Sequence, residues 1–95
     1  MKTINLALQV LPQAQNKNTY ALVDSAIEII AASGLKYKVC PFETVVEGTF
    51  DEVMLVVKKV HEQLELNGTE TLMTYIKIQT NFQSDVTIED KMEKY

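Results

Sequence analysis

Arginine is absent from the 95 residues, which also include only one cysteine, one histidine, three glycines and two prolines. All nine basic residues are lysines, and thirteen acidic residues bring the net charge to −4 at pH 7. This charge repels a polyanion, and without arginine the chain has no guanidinium fork for phosphates or base edges. We therefore do not expect nucleic acid as a partner.

The shortage of cysteine and histidine limits the chemistry further. Cys40 has no second cysteine for an internal disulfide, and together with His61 it cannot make a four-ligand zinc site within one chain. The chain also lacks the Gly-rich, Walker, H-E-x-x-H and G-x-S-x-G signatures. We expect no cofactor, no metal and no enzyme activity, with His61 at a surface or boundary and Cys40 as a packed or edge thiol. A reducing, cytoplasmic setting fits this cysteine usage.

Long apolar runs are missing as well. The longest uninterrupted one, residues 53–57, is far shorter than the roughly 20 residues of a membrane span. Residues 3–11 resemble the apolar part of a signal peptide, but Asn5 and Gln9 interrupt them at alternate positions, which favours a strand. With 46% apolar and 23% charged residues, the chain is expected to fold as one soluble domain over residues 1–95, without membrane contact.

Two hydrophobic periodicities divide the chain into elements. Alternation of apolar and polar residues predicts four strands, over residues 3–11, 36–40, 43–47 and 71–79. Apolar residues at helical spacing predict two helices, over residues 19–33 and 50–67. Pro12 is expected to end the first strand, Thr49 and Glu52 form a capping box before the second helix, and Thr87 is expected to start a short C-terminal helix.

The resulting order, βαββαβ, predicts an α+β, ferredoxin-like sandwich: a four-stranded antiparallel sheet with both helices on one face. The first and third strands are then central neighbours, with Thr44 turned toward the helices. Their other side, together with that of the last strand, makes an open face. The residues expected on this open face are Thr3, Asn5, Ala7, Gln9, Glu43, Val45, Glu47, Met73, Tyr75 and Lys77.

Glu43 and Glu47 are the carboxylates expected on the open face. Four residues apart on a strand, they are roughly 13 Å apart, too far to share a proton. Two interpretations stay open: solvated charge, or a ligand site where the amides of Asn5 and Gln9 converge with one glutamate on a polar heterocycle. Aromatic side chains nearby are more typical of core or rim positions than of a ligand cage. These are Tyr37, Phe42 and Tyr75.

Several segments of the chain resemble the small thiamine-binding proteins of the YkoF-like superfamily. They are residues 10–12, 34–39, 41–48, 50–54 and 86–95. The combination of P-x-x-T-x-x-E-G with a C-terminal I-E-[DE]-K-x-x-K-Y is specific, and the resemblance spans nearly the whole chain. It implies a ferredoxin-like fold, assembly into dimers or tetramers through the sheets, and binding of thiamine (vitamin B1) or its hydroxymethylpyrimidine part without reaction.

Carried over to this chain, the resemblance marks Thr44, Glu47 and Gly48 as motif positions and the first strand as the wall of a ligand site. The candidate ligand-binding residues are Asn5, Gln9, Tyr37, Thr44 and Glu47. The expected function is a cytoplasmic binding protein for thiamine or a related aminopyrimidine, acting as carrier, buffer or sensor. The alternative is a sheet-mediated homo-oligomeric interaction module without a small ligand. In either case we expect a homo-oligomer, a dimer of dimers by the resemblance, because the open face mixes apolar side chains with uncharged amides.

Overall fold

The computed structural model describes residues 2–93 and residue 95, and within them four strands and three helices follow in the expected order. Their bounds are β1 Ile4–Gln13, α1 Thr19–Ala32, β2 Lys36–Val39, β3 Thr44–Gly48, α2 Phe50–Leu66, β4 Thr71–Gln79 and α3 Ile88–Met92. Every element predicted from periodicity is present, with ends shifted by a few residues. Lys94, which belongs to the C-terminal motif, lies outside the described residues, as does Met1.

The four strands form one antiparallel sheet in the order β2-β3-β1-β4. Leu6 of β1 is opposite Val46 of β3 on one side and Ile78 of β4 on the other. The first and third strands are therefore the central pair. This confirms the ferredoxin-like arrangement, and it confirms that Thr44 faces the helices, because it alternates with Val45 and lies buried on the same side as Val46.

Strand β1 is longer than expected, since it continues through Pro12 to Gln13 instead of ending before the proline. Pairing with β3 stops at Leu8 opposite Thr44, and the rest of β1 pairs with β4 alone. That part of β1 is thus a sheet edge, where proline is tolerated because one side of the strand needs no ladder hydrogen bond.

Local side-chain caps define where the two long helices begin. Asn18 precedes α1, and its side-chain oxygen accepts hydrogen bonds from the backbone N–H groups of Tyr20 and Ala21. Before α2 the predicted capping box is present: Thr49 Oγ1 accepts from the Glu52 N–H at 3.3 Å, and Glu52 Oε1 accepts from the Thr49 N–H at 2.9 Å. The backbone and side-chain hydrogen bonds of Thr49 lower the pKa of the Glu52 carboxyl.

Helix α1 packs over β1 and β2 and helix α2 over β1 and β3, and the two helices enclose one hydrophobic core with the sheet. Its buried members are Ile4, Leu6, Leu8, Leu22, Ala26, Ile30, Val46, Val53, Val56, Val57, Val60 and Leu64. The helices leave β4 largely uncovered, so Ile76 and Ile78 stay exposed even though they point to the helix side of the sheet. The outer strand β4 is consequently accessible on both faces.

The C-terminal segment, residues 85–92, lies on the open face of the sheet. The backbone N–H of Val86 donates to the carbonyl of Thr3 at 2.9 Å, and Asp85 Oδ1 accepts from the Thr3 N–H at 2.8 Å. Val86 and Ile88 are buried by this docking. One end of the open face is therefore covered by the chain itself.

Candidate functional site

The structure separates the five predicted ligand residues into three places. Asn5 and Glu47 lie on the open face beneath the C-terminal segment. Gln9 and Thr44 line a cavity at the other end of the central strands. Tyr37 lies on the edge strand β2, opposite Val46 and on the helix side of the sheet. The five residues thus do not converge on a single site within one chain.

Asn5 and Glu47 are cross-strand neighbours, and both bind the C-terminal segment. The Asn5 side-chain amide donates to the carbonyl of Val86 at 3.2 Å, while a Glu47 carboxylate oxygen accepts from the N–H of Ile88 at 2.7 Å. Asn5 is only 3% exposed, and its Oδ1 has no hydrogen-bond partner among the described residues. In this structure the two side chains fix residues 86–88 on the sheet, while one buried acceptor stays unused.

The cavity has a volume of about 430 Å³ and lies between α1, the end of β1 and the β2–β3 loop, residues 40–43. It exists because β3 begins only at Thr44, so within the described chain residues 9–11 of β1 have no strand beside them on that side. The loop closes on itself through a 2.9 Å hydrogen bond from the Cys40 N–H to the Glu43 carbonyl. An unpaired strand edge therefore borders a largely apolar space.

The inner wall of this cavity is made of apolar side chains from the sheet and from α1. They include Leu8, Val10, Val23, Ala26, Ile27 and Ile30. Two aromatic side chains complete the lining: Tyr20 in the first turn of α1 and Phe42 in the β2–β3 loop, which are 83% and 81% exposed. Both rings leave most of their surface to solvent, and a ligand in the cavity could cover them.

Four residues with polar side chains border the cavity: Gln9, Cys40, Glu43 and Thr44. Gln9 alternates with Leu8 and Val10 on β1, so its side chain points to the open face and its backbone borders the cavity. Thr44 is buried, with its hydroxyl on the helix side of β3. Glu43 forms an ion pair with Lys77 of β4, with 2.8 Å between Oε1 and Nζ. Lys77 is opposite Ala7, which alternates with the core residues Leu6 and Leu8, so this ion pair crosses β1 on the open face, on the side of the sheet away from α1.

The other residues weighed from the sequence have structural contacts. His61 is exposed on α2, and its Nε2 lies 2.9 Å from Thr74 Oγ1, so it connects α2 to β4. Cys40 is half-buried in the cavity wall. Among residues 2–93 and 95, no group of three or more histidine, cysteine or acidic side chains is arranged to hold a metal ion. No helix in this part of the chain is long and apolar enough to cross a membrane.

Sequence reasoning did not anticipate the cavity, the part of Tyr20 in its lining or the ion pair between Glu43 and Lys77. Tyr20 lies three residues before Val23 and seven before Ile27, and this helical spacing is the signal that could have drawn attention to it. The pairing of Glu43 with Lys77 follows from the strand order, since the two residues are 34 positions apart in the sequence.

Comparison with known proteins finds relatives that are similar over nearly the whole chain. The family model described as "Thiamine-binding protein" matches residues 6–95. The UPF0045 protein CPE1503 of Clostridium perfringens is 36% identical over 95 residues, covering 100% of this chain and 99% of that protein.

Two solved structures are similar throughout. A DUF77 domain from Bacillus cereus is 37% identical with a TM-score of 0.94, covering 99% of this chain and 90% of that one. A Thermotoga maritima protein, provisionally named for thiamine biosynthesis or salvage, is 32% identical with a TM-score of 0.88 and 98% coverage of both chains. With the family model matching almost all of its residues, the chain belongs to the thiamine-binding protein family.

Proposed function

We propose that this protein binds thiamine or a related aminopyrimidine in the cavity between α1 and the β2–β3 loop, without transforming it. The observation that carries the proposal is the cavity itself: about 430 Å³, mostly apolar, with a few polar side chains. Small-molecule sites typically have this volume and this mixture of apolar wall and placed polar groups. Family membership and the name of the Thermotoga maritima relative support thiamine as the first ligand to test.

The polar groups of the cavity complement the aminopyrimidine ring. That ring presents an amino donor beside ring-nitrogen acceptors in one plane. An unpaired strand edge offers backbone N–H and C=O groups side by side, and residues 9–11 of β1 provide such an edge at the cavity. The Thr44 hydroxyl adds a group that can both donate and accept. We infer that the pyrimidine ring binds at this inner end.

The cavity mouth suits the second ring of thiamine, a permanently cationic thiazolium. Tyr20 and Phe42 present aromatic faces, which attract cations through the ring quadrupole. A diphosphate tail would instead favour arginine forks, which this chain lacks. We therefore expect free thiamine to bind more tightly than its diphosphate.

Two of the other predicted ligand residues lie at a second candidate location, on the open face. Asn5 and Glu47 are adjacent there, and the unused Asn5 Oδ1 is a buried acceptor that an amino group could satisfy. In this structure the C-terminal segment takes the Asn5 amide and the Glu47 carboxylate, so a ligand would have to displace it. Tyr37 is on the opposite side of the sheet from this pair. The α1–loop cavity therefore has the stronger support.

For its role in the cell, we propose a cytoplasmic carrier, buffer or sensor of the vitamin. The matching family is defined by binding, which agrees with a function that does not require turnover. The alternative function, an interaction module without a small ligand, is favoured by one observation: Leu11, Met73 and Tyr75 form an exposed apolar strip on the open face. We propose that a second copy of the chain covers this strip, and that two such dimers make a tetramer.

Calorimetric titration with thiamine tests the ligand proposal. We expect saturable heat with the parent protein and weaker binding by Thr44→Val, which keeps the shape of the side chain but removes the hydroxyl. Losing one neutral hydrogen bond should weaken binding roughly 2- to 10-fold. The matched control is Thr71→Val, an exposed threonine at the start of β4 outside the cavity lining. Absence of heat with the parent would remove thiamine as the ligand.

A further inference from the structure

The β2–β3 loop, residues 40–43, forms one wall of the cavity, and all four of its residues border it. Most of its polar contacts are local: the Cys40 N–H donates to the Glu43 carbonyl within the loop, and the Cys40 thiol donates to the Lys38 carbonyl at 3.9 Å. Among residues 2–93 and 95, the polar side-chain contact that joins the loop to a distant part of the chain is the ion pair of Glu43 with Lys77. The position of this wall therefore depends on that ion pair.

The ion pair lies on the open face, although the loop that it holds borders a cavity on the helix side of the sheet. Lys77 is opposite Ala7, which alternates with the core residues Leu6 and Leu8, so the Lys77 side chain points away from α1. The small side chain of Ala7 leaves room for the Glu43 carboxylate and the Lys77 ammonium to meet across β1 at 2.8 Å. The loop is thus fastened from the side of the sheet opposite to the cavity.

The two ends of this ion pair differ in exposure. The side chain of Glu43 is 24% exposed and that of Lys77 is 78% exposed. A carboxylate that has lost most of its contact with water is stabilised by a nearby cation, whereas an exposed lysine keeps the gain modest. A tether of this strength favours one position of the loop without locking it.

We propose that Lys77 is a positioning residue for the ligand site: through Glu43 it holds the β2–β3 loop where Pro41 and Phe42 border the cavity. This inference rests on the proposed function of the cavity. A ligand that requires this position of the loop binds more weakly as the fraction of molecules that hold it falls. Removing the tether should therefore weaken binding, although Lys77 is on the other face of the sheet from the ligand.

The sign of the effect separates this tether from long-range electrostatics. Removing a lysine makes an acidic chain more negative, which by itself favours a cationic ligand. The tether acts on the loop and not on the charge of the ligand. Its loss should therefore weaken the binding of a cation and of a neutral ring alike.

Two probes are titrated calorimetrically: thiamine, a cation, and 4-amino-5-hydroxymethyl-2-methylpyrimidine, which is neutral. Lys77→Met should weaken the binding of both about 2- to 5-fold, the range that an exposed ion pair supports. Glu43→Gln should do the same, and the double variant should bind no more weakly than either single variant, because all three lose one and the same contact. Lys77→Arg keeps the cation and should bind like the parent.

Lys59→Met is the matched control, since it makes the same change in net charge on the exposed side of α2, and it should bind both probes like the parent. Amide hydrogen exchange adds a readout that needs no ligand. The Cys40 amide, which donates to the Glu43 carbonyl, should exchange about 2- to 5-fold faster in Lys77→Met and in Glu43→Gln. The Val53 amide in α2 should exchange at the parent rate.

The possible results are distinct. Unchanged or tighter binding of either probe by Lys77→Met overturns the tether while the proposed function stands, and so does an additive loss in the double variant or a loss shared by Lys59→Met. Faster exchange at Cys40 and Val53 together would report a general loss of stability and also overturn it. If the parent binds neither probe, the proposed function fails; the tether is then judged by the Cys40 amide, and an unchanged exchange rate overturns it.

Discussion

The Glu47 carboxylate accepts a 2.7 Å hydrogen bond from the backbone N–H of Ile88, 41 positions further along the chain. This contact joins the end of β3 to the first residue of α3. Together with the bond from the Asn5 amide to the Val86 carbonyl, it docks the C-terminal segment on the open face. The glutamate that the family motif marks therefore has a clear structural partner within the chain.

We predict that Glu47→Ala loosens the C-terminal segment and lowers the free energy of unfolding by about 1–3 kcal/mol, because a charged acceptor is removed from a half-buried N–H. Urea unfolding measures the loss, and hydrogen exchange at the Ile88 amide should accelerate. Glu89→Ala is the control: it removes only an exposed ion pair to Lys36 at 3.8 Å and should change stability by less than about 0.5 kcal/mol. Equal effects of the two variants would contradict the role assigned to Glu47.

We predict that Thr49→Ala lowers the free energy of unfolding by roughly 0.5–2 kcal/mol, since the helix α2 loses the side chain that accepts from the Glu52 N–H. Thr80→Ala, in the exposed loop after β4, provides the control. Denaturant midpoints of the two variants give the comparison. A loss no larger than that of the control would mean that the capping box is energetically unimportant.

The lowered pKa of Glu52 predicts a pH dependence of stability. The hydrogen bonds from Thr49 favour the charged carboxylate in the folded state, so its folded pKa lies below its unfolded pKa. The contribution of Glu52 to folding stability is fully present when the pH is above its unfolded pKa, about 4.3. This contribution is lost as the pH falls through the lower, folded pKa. We expect Glu52→Gln to show a smaller loss of stability than the parent between neutral and acidic pH in urea titrations. Parallel pH profiles would exclude this role.

We predict that the protein is an oligomer assembled through the open face. Light scattering at micromolar concentration should give a multiple of the 10.8 kDa chain mass. Placing a charge in the apolar strip with Tyr75→Glu should lower that mass, because an unpaired charge is costly to bury at an interface. Thr80→Glu adds the same charge just beyond the strand and should leave the mass unchanged. A parent mass near 10.8 kDa would rule out the assembly.

Much of the fold could be predicted because its signals are local. Alternation, helical spacing and the Thr49 capping box each depend on residues close in sequence, and they placed Thr44 on the helix side of the sheet. The cavity depends instead on where strands β1 and β3 end relative to each other, and no pattern of neighbouring residues predicts this. The docking of the C-terminal segment joins Asn5 to Val86, 81 positions apart, so the sequence could not show that Asn5 and Glu47 already have partners.

The most direct test of the central claim is a crystal structure of the protein grown with thiamine. We expect the ligand in the cavity between α1 and the β2–β3 loop, with its pyrimidine ring at Thr44 and the edge of β1, and its thiazolium near Tyr20 and Phe42. Residues 85–92 should remain on the open face, held by the same hydrogen bonds to Thr3 and Glu47. Thiamine bound instead at Asn5 and Glu47, with the C-terminal segment displaced, or an empty cavity at saturating thiamine, would contradict this account.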